Sequence, residues 1–207
     1  MSSLRWSLIA SILALFSGVI TLQVATDGWQ VWTAESARRL AVVNNPIQLP
    51  NLSIKGVNHD LQNLSLSSAD DDSLVLMEFI FTRCTTICQL MGAEFAVLQN
   101  TLKSSDRYQN VRLVSVSFDI RDDRHTMISY GARYRADDNY WLLGIPQDRD
   151  ELTAIMKTLG AIVIPVRKLG FIHNAAVYAI HQGKVVAILD HDDREGVNRV
   201  IEQYIDA

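Results

Sequence analysis

Residues 74–95 read LVLMEFIFTRCTTICQLMGAEF. Leu74 to Phe81 is a nearly continuous apolar run, short and bounded by polar residues, as a strand buried on both faces reads. The run leads to Cys84 and Cys88, the only two cysteines of the chain, with Thr85, Thr86 and Ile87 between them. From Cys88 to about Lys103, Met91, Phe95, Leu98 and Leu102 fall on one stripe of a helix. Sites in open α/β sheets lie beyond the carboxyl ends of strands. Cys84 and Cys88 follow such an end, so the chemistry of the chain is expected there.

The remaining elements follow from the same patterns. Leu52–Val57 alternates apolar and polar residues as a half-exposed strand does, and Asn58-His59-Asp60 reads as a turn. Leu61–Leu66 suits a short strand or an irregular segment, and Asp70-Asp71-Asp72 a solvated turn. Val111–Phe118 is a second core strand rich in β-branched residues. Asp123–Tyr134 suits a helix, and Tyr140–Leu143 a strand closed by Gly144-Ile145-Pro146. Asp148 can cap a helix that runs to about Leu159 and stops at Gly160. Residues 164–171, IPVRKLGF, read as loop. Ile172–Ile180 and Lys184–Leu189 read as strands joined at His181-Gln182-Gly183, where Gly supplies the positive φ of a tight turn. Arg194–Tyr204 is a closing amphipathic helix. Strands alternating with helices predict a three-layer α/β domain with a partly parallel sheet, finished by antiparallel edge strands.

Composition bounds the rest. The chain has 207 residues and a formal net charge of −4, which suits one domain with an appendage. A domain of about 150 residues hides roughly two thirds of its unfolded surface, so the cysteines are not needed as staples. The mild acidity argues against a nucleic-acid partner, which calls for a basic face. Trp6–Thr26 carries no charge. About 20 such residues in a helix span a bilayer core, and the run exceeds the apolar stretch of a cleaved signal peptide. Nothing near Val24-Ala25-Thr26 makes a good cleavage site, and Trp29 and Trp32 follow where interfacial aromatics sit. The expected organisation is an uncleaved anchor over 1–26, a juxtamembrane tether over 27–48 containing Pro46, and a globular domain over 49–207. Arg5 precedes the span while Arg38 and Arg39 follow it, so the positive-inside rule does not set the orientation. A single N-terminal signal anchor ordinarily exports the domain behind it.

Two thiols at a helix start have three readings. The bland one is a structural disulfide, which closes a loop so short that it adds little stability. A redox dithiol is the second, since peptide dipoles at a helix N-terminus lower a thiol pKa. If both cysteines share one helical turn, their Cα atoms lie about 6 Å apart, within disulfide range. The spacing has one residue more than the common oxidoreductase pattern. The third is a soft-metal chelate, because thiolates select Cu(I) or Zn(II) over hard cations. With no further cysteine, a Cys-rich structural zinc site is excluded. Among the histidines, His59, His125, His181 and His191 fall in turns or beside charges and read as solvated. His173 sits among apolar neighbours at a strand entrance; the residues alone leave open whether it is hydrogen-bonded there or ligates a metal.

FTRCTTICQLMGAEF, after its apolar strand, resembles the Sco/SenC copper-binding proteins, whose motif is an aromatic strand end followed by C-x-x-x-C. SVSFDIRDD is similar to that family's S-[VIF]-D-P-x-x-D stretch, with Asp119 and Asp123 on its two aspartates. HNAAVYAIHQGKVV resembles the family's D-H-[ST] stretch, with His173 on the histidine. The resemblance runs from Leu49 to the C-terminus. It implies a thioredoxin-like fold, copper as Cu(I) or Cu(II) held by Cys84, Cys88 and His173, and Asp119 and Asp123 behind the ligands or facing a partner. It further implies a metallochaperone for the binuclear copper site of cytochrome c oxidase, its partners the copper-bearing oxidase subunit or another copper acceptor and a thioredoxin-like reductant. The implied location is the inner (cytoplasmic) membrane with the domain on the periplasmic side, or the mitochondrial inner membrane facing the intermembrane space. Thr85, Gln89 and Ile120 stand where the family favours Pro, Ile172 where it often has Asp, and Asn174 where it has a small hydroxyl. None of these changes removes a ligand. The competing functions are a thiol-disulfide oxidoreductase acting on a partner's cysteines and a copper or redox sensor.

Overall fold

The computed structural model describes residues 2–57, 63–66, 72–84, 87–166 and 170–205, with side chains for all of these except 2–4, 63–65, 165, 166, 170, 172 and 173. The turn expected at Asn58-His59-Asp60 and most of that at Asp70-Asp71-Asp72 lie outside the described residues. The chain forms two compact units, Met1–Asn44 and Asn45–Ala207. The first holds helix α1 (Ser2–Ala25) and helix α2 (Ala34–Asn44). Over Arg5–Ala25, α1 is long and apolar enough to cross a membrane. The expected tether thus contains a helix; α2 ends before Pro46, whose ring disfavours helix in the residue ahead of it.

The second unit is built on an eight-stranded sheet. Its strands are β1 (Ile47–Gln48), β2 (Ser53–Gly56), β3 (Asn63–Ser65), β4 (Leu74–Ile80), β5 (Val111–Ser117), β6 (Trp141–Pro146), β9 (Ala176–His181) and β10 (Lys184–Asp190). Between them lie β7 (Val163–Val166) and β8 (Gly170–His173), which pair only with each other. The order across the main sheet is β1-β10-β9-β4-β5-β6-β2-β3, with β4, β5 and β6 parallel and the rest antiparallel. Helices α3 (Ile87–Lys103), α4 (Arg124–Tyr134), α5 (Arg149–Thr158) and α6 (Arg194–Ile205) connect or close it. This is the expected mixed α/β architecture of the thioredoxin-like class.

The local chemistry accounts for the boundaries. All seven residues of β4 are buried, which is why the run reads as uninterrupted apolar sequence. One core packs Leu74, Leu76 and Ile80 of β4 with Phe95, Met127, Tyr130, Trp141, Val197 and Ile201, so α3, α4 and α6 cover the same sheet face. Asp123 caps α4 through a reciprocal pair of bonds with Thr126, and Asp148 caps α5 by accepting from the Asp150 and Glu151 N–H groups. Gln182 and Gly183 both have positive φ, as the tight β9–β10 turn requires.

Four expectations change. Strand β6 continues through Gly144, Ile145 and Pro146, because it lies between β5 and the antiparallel β2; a Cβ at Gly144 would run into Ile54 Cγ2. The expected strand Ile172–Ile180 is two strands in two sheets, broken at Asn174. The stretch read as loop, 164–171, holds most of β7 and the start of β8, and the β9–β10 hairpin lies inside the sheet, with β1 outside β10.

Candidate metal centre

Cys84 lies at the end of the turn after β4. Its N–H donates to the Phe81 carbonyl at 3.2 Å. Cys88 lies in the first turn of α3, and its N–H donates to Cys84 Sγ at 3.3 Å. The two residues therefore do not share a helical turn; Cys84 precedes the helix, and its sulfur takes one of the N–H groups that a helix start leaves open. Both are thiols, 5% and 1% exposed. Burial pushes the Cys88 thiol well above its ordinary range, and its hydrogen bond with Cys84 adds to the rise. At Cys88, desolvation outweighs the helix terminus that would lower it. A thiolate pair here needs a cation in place of the protons.

The loop after β5 passes beside the cysteine turn. Asp119 is buried beneath two half-exposed guanidinium groups. Arg83 donates from Nη2 to Asp119 Oδ2 at 2.8 Å. Arg121 donates from Nε to Oδ1 at 2.9 Å, from Nη2 to Oδ2 at 2.8 Å, and from its backbone N–H to Oδ1 at 3.0 Å. Burial alone would raise the Asp119 carboxyl; the hydrogen bonds from Arg121 and Arg83 overcome it and hold the group at about 2. Asp119 is thereby tied to the residue next to Cys84. Asp123 is exposed and serves α4 as its cap. The buried second carboxylate is Asp122, which takes hydrogen bonds from Thr82 and Ser117 and lies 3.5 Å from Arg83.

His173 ends β8, with its backbone opposite Val163 of β7. Asn174, the next residue, fastens the base of this hairpin. Its Oδ1 accepts from the Ile162 N–H at 2.7 Å, its Nδ2 donates to the Gly160 carbonyl at 3.2 Å, and its N–H donates to the Ile162 carbonyl at 3.2 Å. Phe171 meets the cysteine turn directly. Its ring stands edge-on to Phe81 at 5.4 Å and to Phe118 at 5.5 Å, while Phe81 and Phe118 are 5.4 Å apart. The Arg121 guanidinium lies over the same ring at 5.8 Å. Three segments distant in sequence, carrying Cys84 and Cys88, Asp119, and His173, thus converge on one aromatic cluster.

Sequence reasoning missed Arg83, Arg121, Asp122 and Phe171, because each reads as ordinary surface or loop. It also missed Glu78, fully buried in β4. The Ser115 hydroxyl donates to Glu78 Oε1 at 2.6 Å and accepts from Trp141 Nε1 at 2.8 Å, while Oε2 has no hydrogen-bond partner among the described residues. Burial raises the Glu78 carboxyl to about 8, with the Ser115 bond opposing. Of the other histidines, His59 lies outside the described residues. His125 is exposed. His181, expected as solvated, ends β9 half-buried against Tyr204 at 4.9 Å. His191 is half-buried beside Glu94 and Arg194, lining a cavity between α3 and α6.

Comparison with known proteins gives the family and the fold. The family model described as SCO1/SenC matches residues 57–206. The SCO1 protein homolog of Bacillus subtilis (strain 168) is 32% identical over 133 residues, covering 62% of this chain and 67% of that protein. Among solved structures, BsSco, described with a disulfide switch and as a member of the Sco family of cytochrome c oxidase assembly proteins, superposes with a TM-score of 0.64 at 23% identity, over 78% of this chain and 95% of its own. Arabidopsis thaliana ScoI with copper bound superposes with a TM-score of 0.57 at 17% identity, over 77% of this chain and 98% of its own.

Proposed function

The chain belongs to the SCO1/SenC family, and from that premise we propose that it is a membrane-anchored copper-binding protein acting as a metallochaperone in assembly of the binuclear copper site of cytochrome c oxidase. Copper is its cargo, and Cys84, Cys88 and His173 are the ligands. The donor chemistry fits: two sulfurs and an imidazole suit copper in either oxidation state. The observation that carries the reading is the docking of the β7–β8 hairpin, which ends in His173, onto the turn that carries Cys84. The copper-bound state of a relative with this fold supports it. Loading exchanges thiol protons for metal, so the ion is held by groups that are neutral without it. The apolar helix α1 supplies the anchor, with the globular unit on the periplasmic side or its mitochondrial equivalent. The acceptor is the copper-bearing oxidase subunit or another copper acceptor, and a thioredoxin-like protein keeps the pair reduced.

The test uses the full chain in detergent, reduced and loaded with copper. One equivalent is expected to bind, with nitrogen hyperfine coupling in the Cu(II) spectrum, and His173→Ala is expected to lose that coupling and most of the affinity. One-to-one binding with unchanged spectrum and affinity in His173→Ala overturns the ligand assignment. A second reading, thiol-disulfide exchange with a partner's cysteines, draws on the 3.3 Å approach of Cys84 Sγ to the Cys88 N–H, which holds the two cysteines together. Reduction of a model disulfide that persists in His173→Ala after copper binding is lost favours that reading.

A further inference from the structure

The β7–β8 hairpin stands apart from the main sheet. Its two strands pair with each other and with no other strand among the described residues, and an isolated two-stranded ribbon is marginal by itself. Ile162 and Ile164, at its outer side, are 59% and 53% exposed. Among the described residues, the side chains of Asn174 and Phe171 fasten it. Asn174 bonds to Ile162 and Gly160, which secures the base of the hairpin to the end of α5. Phe171 is the tie on the other side. Its ring packs edge-on against Phe81, three residues before Cys84, and against Phe118, the neighbour of Asp119. Arg121, fixed by its paired bonds to Asp119, covers the ring.

We infer that Phe171 is a positioning residue of the metal centre: its ring docks the His173 hairpin onto the cysteine turn and sets the distance of the third ligand from the two sulfurs. The inference rests on the copper reading above. Phe171 lies two residues before His173 in the same strand, roughly 7 Å along the backbone, so an anchor there leaves the histidine little freedom. Edge-to-face rings stabilise a contact beyond the area they bury, and Phe171 makes two such pairs. Without the ring, the hairpin keeps its own ladder and its Asn174 bonds but loses its register against Cys84. The cysteines and their turn are left as they were. The ligand set is then complete in composition and displaced in space.

The experiment compares the wild-type full chain in detergent with Phe171→Ala, Phe171→Leu and Phe171→Tyr. Readouts are copper affinity by competition, nitrogen hyperfine coupling of the Cu(II) form, thiol reactivity of the cysteine pair, and the thermal unfolding transition. Phe171→Ala is expected to bind copper about 10–100-fold more weakly, the range typical for residues that orient a metal ligand. It is also expected to lose or broaden the nitrogen coupling while both thiols react as in wild type. Phe171→Tyr keeps the ring and is expected to restore affinity and spectrum; Phe171→Leu falls between. Where Phe171→Ala does not fold, the order tyrosine above leucine in affinity and coupling carries the test. Wild-type affinity and coupling in a folded Phe171→Ala, or in Phe171→Leu where alanine fails, overturns the inference and leaves the copper reading intact. Absence of copper binding in the wild-type chain overturns both.

Discussion

Thr82 gives both of its hydrogen-bond donors to Asp122: the backbone N–H to Oδ2 at 2.8 Å and the hydroxyl to Oδ1 at 2.6 Å. The Ser117 hydroxyl adds a third donor at 2.7 Å, also to Oδ2. Asp122 thus closes the cysteine turn onto the end of β5 from a fully enclosed position. Asp122→Asn keeps the shape but offers one acceptor oxygen where the carboxylate offers two, and its amide group faces a donor. The variant is expected to lose about 1–3 kcal/mol of stability, read from guanidinium unfolding followed by the fluorescence of Trp141, the only tryptophan of the globular unit. Unfolding curves that superimpose on wild type would show that the triple acceptor is dispensable.

The buried carboxyl of Glu78 gives stability a particular pH dependence. In the fold it keeps its proton up to about 8, whereas the unfolded chain releases it near 4.5. The folded state therefore binds more protons over that window. The contribution is complete below 4.5 and is lost as pH rises through about 8. Glu78→Gln removes the titration, so its stability relative to wild type should climb across the window by a few kcal/mol. Denaturation at several pH values decides it; curves that stay parallel from acid to alkaline conditions would sink the assignment of a neutral Glu78.

Copper loading should depend on pH in the opposite sense. Burial keeps Cys88 protonated, and metal must displace that proton. Cu(I) affinity is expected to rise from mildly acidic to mildly alkaline solution, with proton release on binding detectable in weak buffer. Oxidation of Cys84 and Cys88 to the disulfide is expected to abolish Cu(I) binding, with recovery on reduction. Cu(I) retained by a fully oxidised sample contradicts the thiolate ligands.

Much of this was legible in the residues. The continuous apolar run of β4, the Asp148 cap, the Gly160 stop with its φ of +63° and the turn at Gly183 each have a local cause, and local causes leave local signatures. The hairpin that carries His173 was not. Pro165 and Gly170 argue against strand in any window, and what docks the hairpin, the Phe171 ring against Phe81 and Phe118, lies in segments distant in sequence. Asp122 hides in a charged run, Arg121-Asp122-Asp123-Arg124, that reads as solvated; only the three-dimensional approach of Thr82 and Ser117 separates it from its exposed neighbour Asp123. Likewise Glu78 looks like a chance polar residue in an apolar stretch until Ser115 and Trp141 are placed beside it.

The strand order has a consequence for how the molecule is made. Strand β4 is flanked by β5 and β9, and Leu74 pairs with His181. During synthesis, β4 acquires its first neighbour early and waits for its second until residues 176–181 have emerged. Contacts between segments so distant in sequence form slowly. Over that interval the sheet behind Cys84 and Cys88 is incomplete, and the hairpin that ends in His173 also comes late in the chain. With the globular unit exported as proposed above, the two thiols reach an oxidising compartment before the proposed third ligand is in place, so a reductant, or copper itself, has to meet the chain early.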